Sequence, residues 1–170
     1  MPTPARAGRL FALPLATALS ATAISTAGLA IGANNSTADA ALSHREHKIF
    51  RAVRIAKRQI GEPYRYGANG PGSFDCSGLT SYAYRHAGFR IPRTSDAQYD
   101  RVRHIRKRNL RRGDLLFFHS GGDVYHVAIF LKRKHGHKIV LHSPRPGRTV
   151  QRDPLWTSKY WAGSLRHRHR

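Results

Sequence analysis

Three apolar runs separated by short turns occupy residues 115–142, and they constrain the fold more than any other part of the chain. Residues 115–119 are apolar enough for a buried strand, and a tight loop with two glycines follows them. Residues 124–131 and 138–142 then predict a hairpin around a charged turn that contains Gly136. Strands joined by turns this short pair antiparallel, so this half of the chain predicts an antiparallel sheet.

The residues before this sheet predict helices. Residues 43–60 predict an amphipathic helix that ends before Gly61. Residues 76–88 predict a second helix, and residues 96–101 predict a third, shorter helix or turn. Helices followed by strands, rather than alternating with them, predict an α+β domain with helices packed on an antiparallel sheet. The apolar stripe of the first helix consists of Ile49, Val53, Ala56 and Ile60.

Cys76 is the only cysteine in the chain, and it falls in the first turn of the second predicted helix. Ser73 or Asp75 can cap that helix. The unpaired N–H groups and the helix dipole in this turn favour a thiolate, which is the reactive form of cysteine. The alternative is a small buried residue in an ordinary helix.

Residues 1–40 have the pattern of a secretory signal peptide, with Arg6 and Arg9 before an uncharged apolar stretch and a small-x-small cleavage motif at residues 38–40. A permanent membrane anchor is the alternative, although the apolar stretch is only weakly hydrophobic. The sequence therefore predicts a leader at 1–40 and one secreted domain at 41–170 with a basic C-terminal tail. Exported proteins usually pair their cysteines, so a single cysteine there suggests a reactive thiol.

The charge of the chain is strongly positive. Lys and Arg number 30 against 9 Asp and Glu, which gives a net charge of +21. The excess is clustered at residues 101–112, 132–134 and 166–170. Such clusters retain polyanions, and for an exported protein we expect anionic cell-wall polymers or a membrane surface; a basic face without a partner is the alternative. Neither a stacking platform of aromatic residues nor zinc-finger spacing accompanies the charge, so nucleic acid is not expected as a partner.

Two histidines of the predicted hairpin can form a pair. His126 and His142 are symmetric about residue 134, so a symmetric hairpin makes them direct cross-strand neighbours, with Cβ atoms about 4.5–5.5 Å apart. A register slip of one residue would destroy this pairing. Together with Cys76 they suggest a Cys–His unit in which His126 accepts the thiol proton and His142 fixes its orientation. A metal site made of the same three residues is the alternative, although no local ligand motif supports it.

The ordered motifs of the chain resemble those of the NlpC/P60 family of cell-wall peptidases. The segment FDCSGL at 74–79, preceded by PYRYG at 63–67, resembles the family's nucleophile region. The resemblance covers about residues 46–166, and it implies a papain-like α+β fold. It also implies hydrolysis of amide bonds in peptidoglycan stem peptides, typically between D-glutamate and the following diamino acid. The other motifs, in the family's order, are IPRTS at 91–95, RGDLLFF at 112–118, HVAI at 126–129 and LHSP at 141–144.

The resemblance also implies roles for individual residues. Cys76 matches the nucleophile, His126 the base and His142 the residue that orients the base. Tyr64 matches a tyrosine beside the nucleophile that helps to polarise the scissile carbonyl. Neither a cofactor nor a metal is implied, and we expect a monomer. The positions that match the substrate groove are Asp75, Ser77 and Arg93.

Other functions remain possible for such a chain. A related amidase or acyltransferase could use the same residues on another acyl amide. A catalytically silent wall-binding protein would keep the fold and the charge, although the intact Cys–His set argues against it. A secreted binder of nucleic acid or membranes would explain the charge but not the Cys–His set.

Overall fold

The computed structural model describes residues 29–166, with side chains from residue 44 onward. The leader predicted at residues 1–40 therefore lies mostly outside the described residues, as do the last four residues of the basic tail. Within the described part, no helix combines the length and the apolar character needed to cross a membrane.

The three predicted helices are present: α1 spans Leu29–Arg58, α2 spans Cys76–His86 and α3 spans Ser95–Arg101. The apolar stripe of α1 is fully buried except for Ile60, which is 39% exposed. Its assignment to the stripe was wrong, because α1 ends at Arg58 and the chain then turns through Gly61 at φ +100°. That positive φ favours glycine, so the helix cannot extend through this position without strain.

Six strands form one antiparallel sheet in the order β1-β6-β2-β3-β4-β5, which confirms the predicted α+β class. The sequence did not predict β1, since it lies inside the basic run and is only three residues long. It forms because residues 103–105 pair with residues 162–164 of β6. The strands are β1 Arg103–Ile105, β2 Leu115–Ser120, β3 Asp123–Lys134, β4 His137–His142, β5 Gln151–Pro154 and β6 Tyr160–Ser164.

The sheet carries an apolar cluster on each face. The first face packs against α1 and α2 and includes Phe117, Val127 and Leu141. The opposite face carries a second cluster that includes Phe118, Ala128, Phe130, Val140 and Tyr160, with Leu110 and Leu155 packed on it. Residues of β3 and β4 that share a side with Ala128 and Val140 therefore lie on the face away from the helices; we call this the outer face.

The hairpin between β3 and β4 differs from the predicted symmetric one. Lys134 pairs with His137 across a two-residue turn, and a bulge between Phe130 and Lys132 then shifts the register. Beyond the bulge Ile129 pairs with Leu141, so His142 comes next to Ala128 and diagonal to His126. The prediction of directly opposed histidines was wrong in register.

The bulge nevertheless keeps the two histidines on one face. Without it, the register of the turn would set His142 opposite Ile129, whose side chain points towards the helices. One extra residue on β3 reverses this alternation and brings His142 to the side of His126. The contact between the histidines thus depends on the bulge at Leu131.

The first residue of the predicted basic tail belongs to the core. Arg166 is 6% exposed, and its guanidinium pairs with Asp114, which is 1% exposed. The same guanidinium donates to the carbonyl of Arg112 at 2.7 Å and lies 3.4 Å from Glu46 of α1. This ion pair holds the chain against α1 and the loop before β2, so Arg166 is part of the core as well as the first residue of the basic tail.

Candidate active site

Cys76 is the first residue of α2, as the sequence predicted. Asp75 rather than Ser73 is the N-cap, and its Oδ1 accepts from the backbone N–H of Gly78 at 2.6 Å. A Cβ on Gly78 would lie 2.0 Å from the carbonyl oxygen of Ala68. The glycine is therefore required for the loop at residue 68 to pack against the first turn of α2, where it fixes the position of the cysteine.

The three residues assigned to the substrate groove bind one another. Arg93 donates to both carboxylate oxygens of Asp75, at 3.0 and 2.6 Å, and to the hydroxyl oxygen of Ser77 at 2.9 Å. It also donates to the carbonyl of Ala68 at 3.2 Å. Asp75 and Ser77 are each 7% exposed. These contacts stabilise the cap of α2, and a direct contact with substrate stays a prediction.

The thiol of Cys76 is partly exposed, but its protonation state differs from the predicted one. Burial raises the pKa of the Cys76 thiol, and the Asp75 carboxylate raises it further. Hydrogen bonds from the backbone N–H groups of Val127 and Ser77, and from the Ser77 side chain, lower the pKa without reversing the shift. Desolvation outweighs the helix N-terminus, so the resting side chain is a neutral thiol.

His126 and His142 are hydrogen-bonded on the outer face. The distance between His126 Nε2 and His142 Nδ1 is 2.9 Å, and the ring planes are 76° apart. His142 Nε2 lies 2.9 Å from Oδ2 of Asp153, which also accepts from the side-chain amide of Gln151 at 2.6 Å. The structure therefore extends the predicted pair by a carboxylate that the sequence analysis missed.

Both imidazoles are neutral at pH 7, whereas Asp153 is ionised. Burial, and secondly the charge of His142, lowers the pKa of His126 to about 3. Burial also lowers the pKa of His142, although the hydrogen bond to Asp153 opposes this shift. Burial alone would raise the pKa of Asp153, but the hydrogen bonds from His142 and Gln151 produce a net lowering.

These charge states determine where each proton lies. The Asp153 carboxylate can only accept, so His142 must carry its proton on Nε2 and leave Nδ1 as an acceptor. His126 must then donate through Nε2–H to that acceptor. A neutral imidazole has one N–H, so Nδ1 of His126 is unprotonated and free to accept a proton.

The cysteine and the histidines come close without a direct bond. The backbone N–H of Val127, next in the chain to His126, bonds to the Cys76 sulfur. Within residues 44–166, no hydrogen bond joins Cys76 to His126. Tyr64 lies near Cys76 and Asp75. Burial, and secondly the negative charges that Cys76 and Asp75 can carry, raises the pKa of its phenol. No group of three or more metal-ligating side chains in the described part of the chain is arranged to hold an ion.

A cleft of about 830 Å³ opens on the histidine side of the site. Trp156, half exposed, forms its wall and stacks on His142, with ring centroids 5.1 Å apart, and on Phe118, with centroids 4.5 Å apart. Cys76 and Tyr64 are not among its lining residues. The lining includes His126, His142, Asp153, Tyr125, Arg145 and Arg148.

The sequence of this chain is similar to those of known proteins. The model of the NlpC/P60 family matches residues 61–170. A probable endopeptidase of Corynebacterium glutamicum is 45% identical over 91 residues, which cover 54% of this chain and 41% of the relative. The chain thus spans about two fifths of the length of this curated relative.

The fold of this chain is similar to the folds of several solved structures. The peptidoglycan hydrolase RipB from Mycobacterium tuberculosis superposes with a TM-score of 0.64 at 27% identity, covering 72% of this chain and 67% of RipB. RipD from the same organism superposes with a TM-score of 0.59 at 25% identity, covering 69% and 97%. RipD is described as a non-catalytic NlpC/P60 domain protein adapted to peptidoglycan binding.

Proposed function

The chain belongs to the NlpC/P60 family, and from this membership and its site geometry we propose that it is a cysteine peptidase of peptidoglycan stem peptides. The observation that carries the proposal is the chain of hydrogen bonds from Asp153 through His142 to His126, which leaves Nδ1 of His126 as a free base. The proposed bond joins D-glutamate to the following diamino acid. The similarity to the peptidoglycan hydrolase RipB supports peptidoglycan as the substrate. The similarity to the C. glutamicum endopeptidase supports cleavage of a peptide bond.

The proposed reaction proceeds through a thioester. Nδ1 of His126 takes the proton of the Cys76 thiol as the sulfur attacks the scissile carbonyl carbon. The backbone N–H of Cys76, free at the N-terminus of α2, and the Tyr64 hydroxyl are the candidate donors to the oxyanion. His126 then protonates the leaving amine, and afterwards it removes a proton from the water that hydrolyses the thioester.

This sequence of steps requires a base that is neutral before the attack. The raised pKa of Cys76 and the lowered pKa of His126 both oppose a resting thiolate–imidazolium pair. Proton transfer therefore accompanies the attack, and His142 with Asp153 stabilises the imidazolium that forms.

Asp153 provides a test of this arrangement. Replacing Asp153 with alanine removes the acceptor that fixes the tautomer of His142, so we expect kcat to fall by about 10²-fold. Asp153→Asn should lose only about tenfold, because its amide oxygen can still accept from His142 and from Gln151. Steady-state kinetics on a soluble stem peptide measure both effects. Asp100→Ala removes an exposed carboxylate on α3 and serves as the charge control; equal kcat for Asp153→Ala and this control would contradict the role of Asp153.

The peptidase proposal is tested by digestion of purified peptidoglycan, with the fragments identified by mass spectrometry. We expect new amino termini at a single stem-peptide bond, and protein alkylated with iodoacetamide should produce none. Absence of cleavage by folded, reduced protein on both intact walls and soluble fragments would contradict the proposal. Cleavage of another acyl amide alone would indicate the related amidase or acyltransferase.

A binding role without catalysis is the second candidate. The fold similarity to the non-catalytic RipD supports it. The digestion experiment distinguishes the two candidates, since a silent binder would sediment with walls and release no fragments.

The proposed substrate has a consequence for location. Peptidoglycan lies outside the cytoplasmic membrane, so we propose that residues 1–40 act as a cleavable export leader. The predicted monomeric state and the predicted attraction of the basic clusters to anionic wall polymers belong to the same proposal. Since the attraction is electrostatic, sedimentation with isolated walls should weaken sharply as salt is raised.

A further inference from the structure

The outer face of β4 connects the histidine pair to a group of cations. Lys138, Val140 and His142 alternate with inward-facing residues and therefore lie on the same side of the strand. At about 3.4 Å per residue, Lys138 is about 14 Å from His142 along β4. Arg133 of β3 pairs directly with Lys138, so two cations stand side by side at this end of the sheet.

These cations line a second cleft, of about 600 Å³. Leu155 and Trp156 line both this cleft and the one beside the histidines, so the two clefts adjoin on the outer face, and together we call them the groove. Among the residues that the structure describes, no aspartate or glutamate lines the second cleft. Its lining consists of Lys107, Arg108, Arg133, Lys138, Leu155, Trp156, Thr157, Ser158 and Tyr160.

Lys107 is held in place by its neighbours. Its ammonium donates to the carbonyl of Ser158 at 2.6 Å and lies 4.7 Å from the centre of the Tyr160 ring. The charge of Arg133 also reaches the Tyr160 hydroxyl, where it counteracts the rise in pKa that burial causes. Lys107 and Arg133 therefore bring two positive charges near the Tyr160 side chain.

The charges of Arg133 and Lys138 do not stabilise the fold. Like charges directly opposite each other in an antiparallel pair are destabilising, and Arg133 and Lys138 are such a pair. Within residues 44–166 no carboxylate forms an ion pair with any of the four cations of the cleft. An anionic ligand would supply the missing counter-charge.

We propose that this groove binds a linear phosphodiester polymer alongside the histidine pair. A phosphodiester offers two charged oxygens to arginine and lysine donors, and the hydroxyls of Thr157 and Ser158 add further donors. The cleft is concave, so it suits a chain better than the flat surface of a bilayer. Binding itself does not depend on the peptidase reaction; only its placement next to a catalytic centre rests on the proposed function.

The test is titration of the protein with poly(glycerol phosphate) in a calorimeter, repeated at several salt concentrations. Arg133→Ala combined with Lys138→Ala should weaken binding at least about tenfold. It should also lower the slope of log K against log salt by about two, one for each lost cation. The matched control is Arg54→Ala combined with Arg58→Ala, which removes the same charge from exposed positions of α1 on the opposite side of the sheet.

Several outcomes would overturn the proposal. Equal weakening by the two double variants would show that only net charge matters. Vesicles of phosphatidylglycerol or single-stranded DNA that bind more tightly than the polymer, with the same dependence on Arg133 and Lys138, would assign the groove to a different partner. Loss of the folded state is not expected, because removing Arg133 and Lys138 relieves a like-charge contact; thermal unfolding checks this. Since the titration involves no cleavage, its result is independent of the peptidase assay.

Discussion

Replacing His126 with alanine is expected to lower kcat for stem-peptide hydrolysis by about 10⁴-fold. The thiol of Cys76 is neutral at rest, so the reaction needs a base at the moment of attack, and Nδ1 of His126 is the free nitrogen of the hydrogen-bonded chain. His142→Ala should have a smaller effect, because in the proposed mechanism His142 orients the base and does not itself exchange protons with the substrate. Steady-state kinetics with a soluble stem peptide measure both variants.

Thiol alkylation provides the control for this prediction. A neutral resting thiol does not depend on His126 for its charge, so His126→Ala should react with iodoacetamide at pH 7 about as fast as the wild type. A large fall in the alkylation rate would contradict the general-base account, because it would indicate a preformed ion pair. The pH profile is a second check: with the pKa of His126 lowered to about 3, kcat/KM should not decline near pH 6.5, where an ordinary histidine protonates.

Replacing Arg166 with methionine is expected to reduce the free energy of unfolding by about 3–5 kcal/mol. The substitution keeps an unbranched apolar stem but leaves the Asp114 carboxylate buried without its partner. The pKa of Asp114 is already raised by burial, with Arg166 among the groups that oppose the rise, so removal of the guanidinium increases the cost. Urea denaturation measures the change, and a loss below about 1 kcal/mol would contradict a buried ion pair.

A double replacement separates the charge from the packing. Arg166→Met combined with Asp114→Leu should recover most of the lost stability, because no unpaired charge is then buried. Arg111→Met, at an exposed position of the basic run 101–112, should change the free energy of unfolding by less than about 0.5 kcal/mol.

The sequence predicted the fold class and the helix that carries Cys76 because their signals are local. Periodicity, a cap residue and a terminating glycine lie within one stretch, and the structure confirms them in α2. The contact between His126 and His142 was predicted for a partly wrong reason. The register depends on a bulge at Leu131, and nothing in the alternation of residues 124–134 marks that position in advance.

Asp153 was missed for a related reason. The strand β5 is four residues long, contains two charged residues and ends in proline, so its sequence resembles a loop. Its pairing with β4 sets Gln151 opposite His142 and Asp153 opposite Val140, and this long-range pairing brings the carboxylate to the imidazole. The alternation of Gln151 and Asp153 was the one local sign that both side chains share a face.

The thiolate prediction was wrong because two physical effects compete at Cys76. The helix N-terminus stabilises a negative charge, but desolvation penalises it, and the sequence gives no measure of how deeply the sulfur is buried. The structure shows that burial dominates and raises the pKa of the thiol.

Cys76 is the proposed nucleophile, and the Cys76→Ala variant removes its thiol. Wild type and variant would be incubated with the same purified peptidoglycan, after thermal unfolding has shown that both are folded. We expect the wild type to release peptide fragments and the variant to release none. Equal release by the Cys76→Ala variant would contradict a nucleophilic role for Cys76, because hydrolysis would then proceed without the thiol.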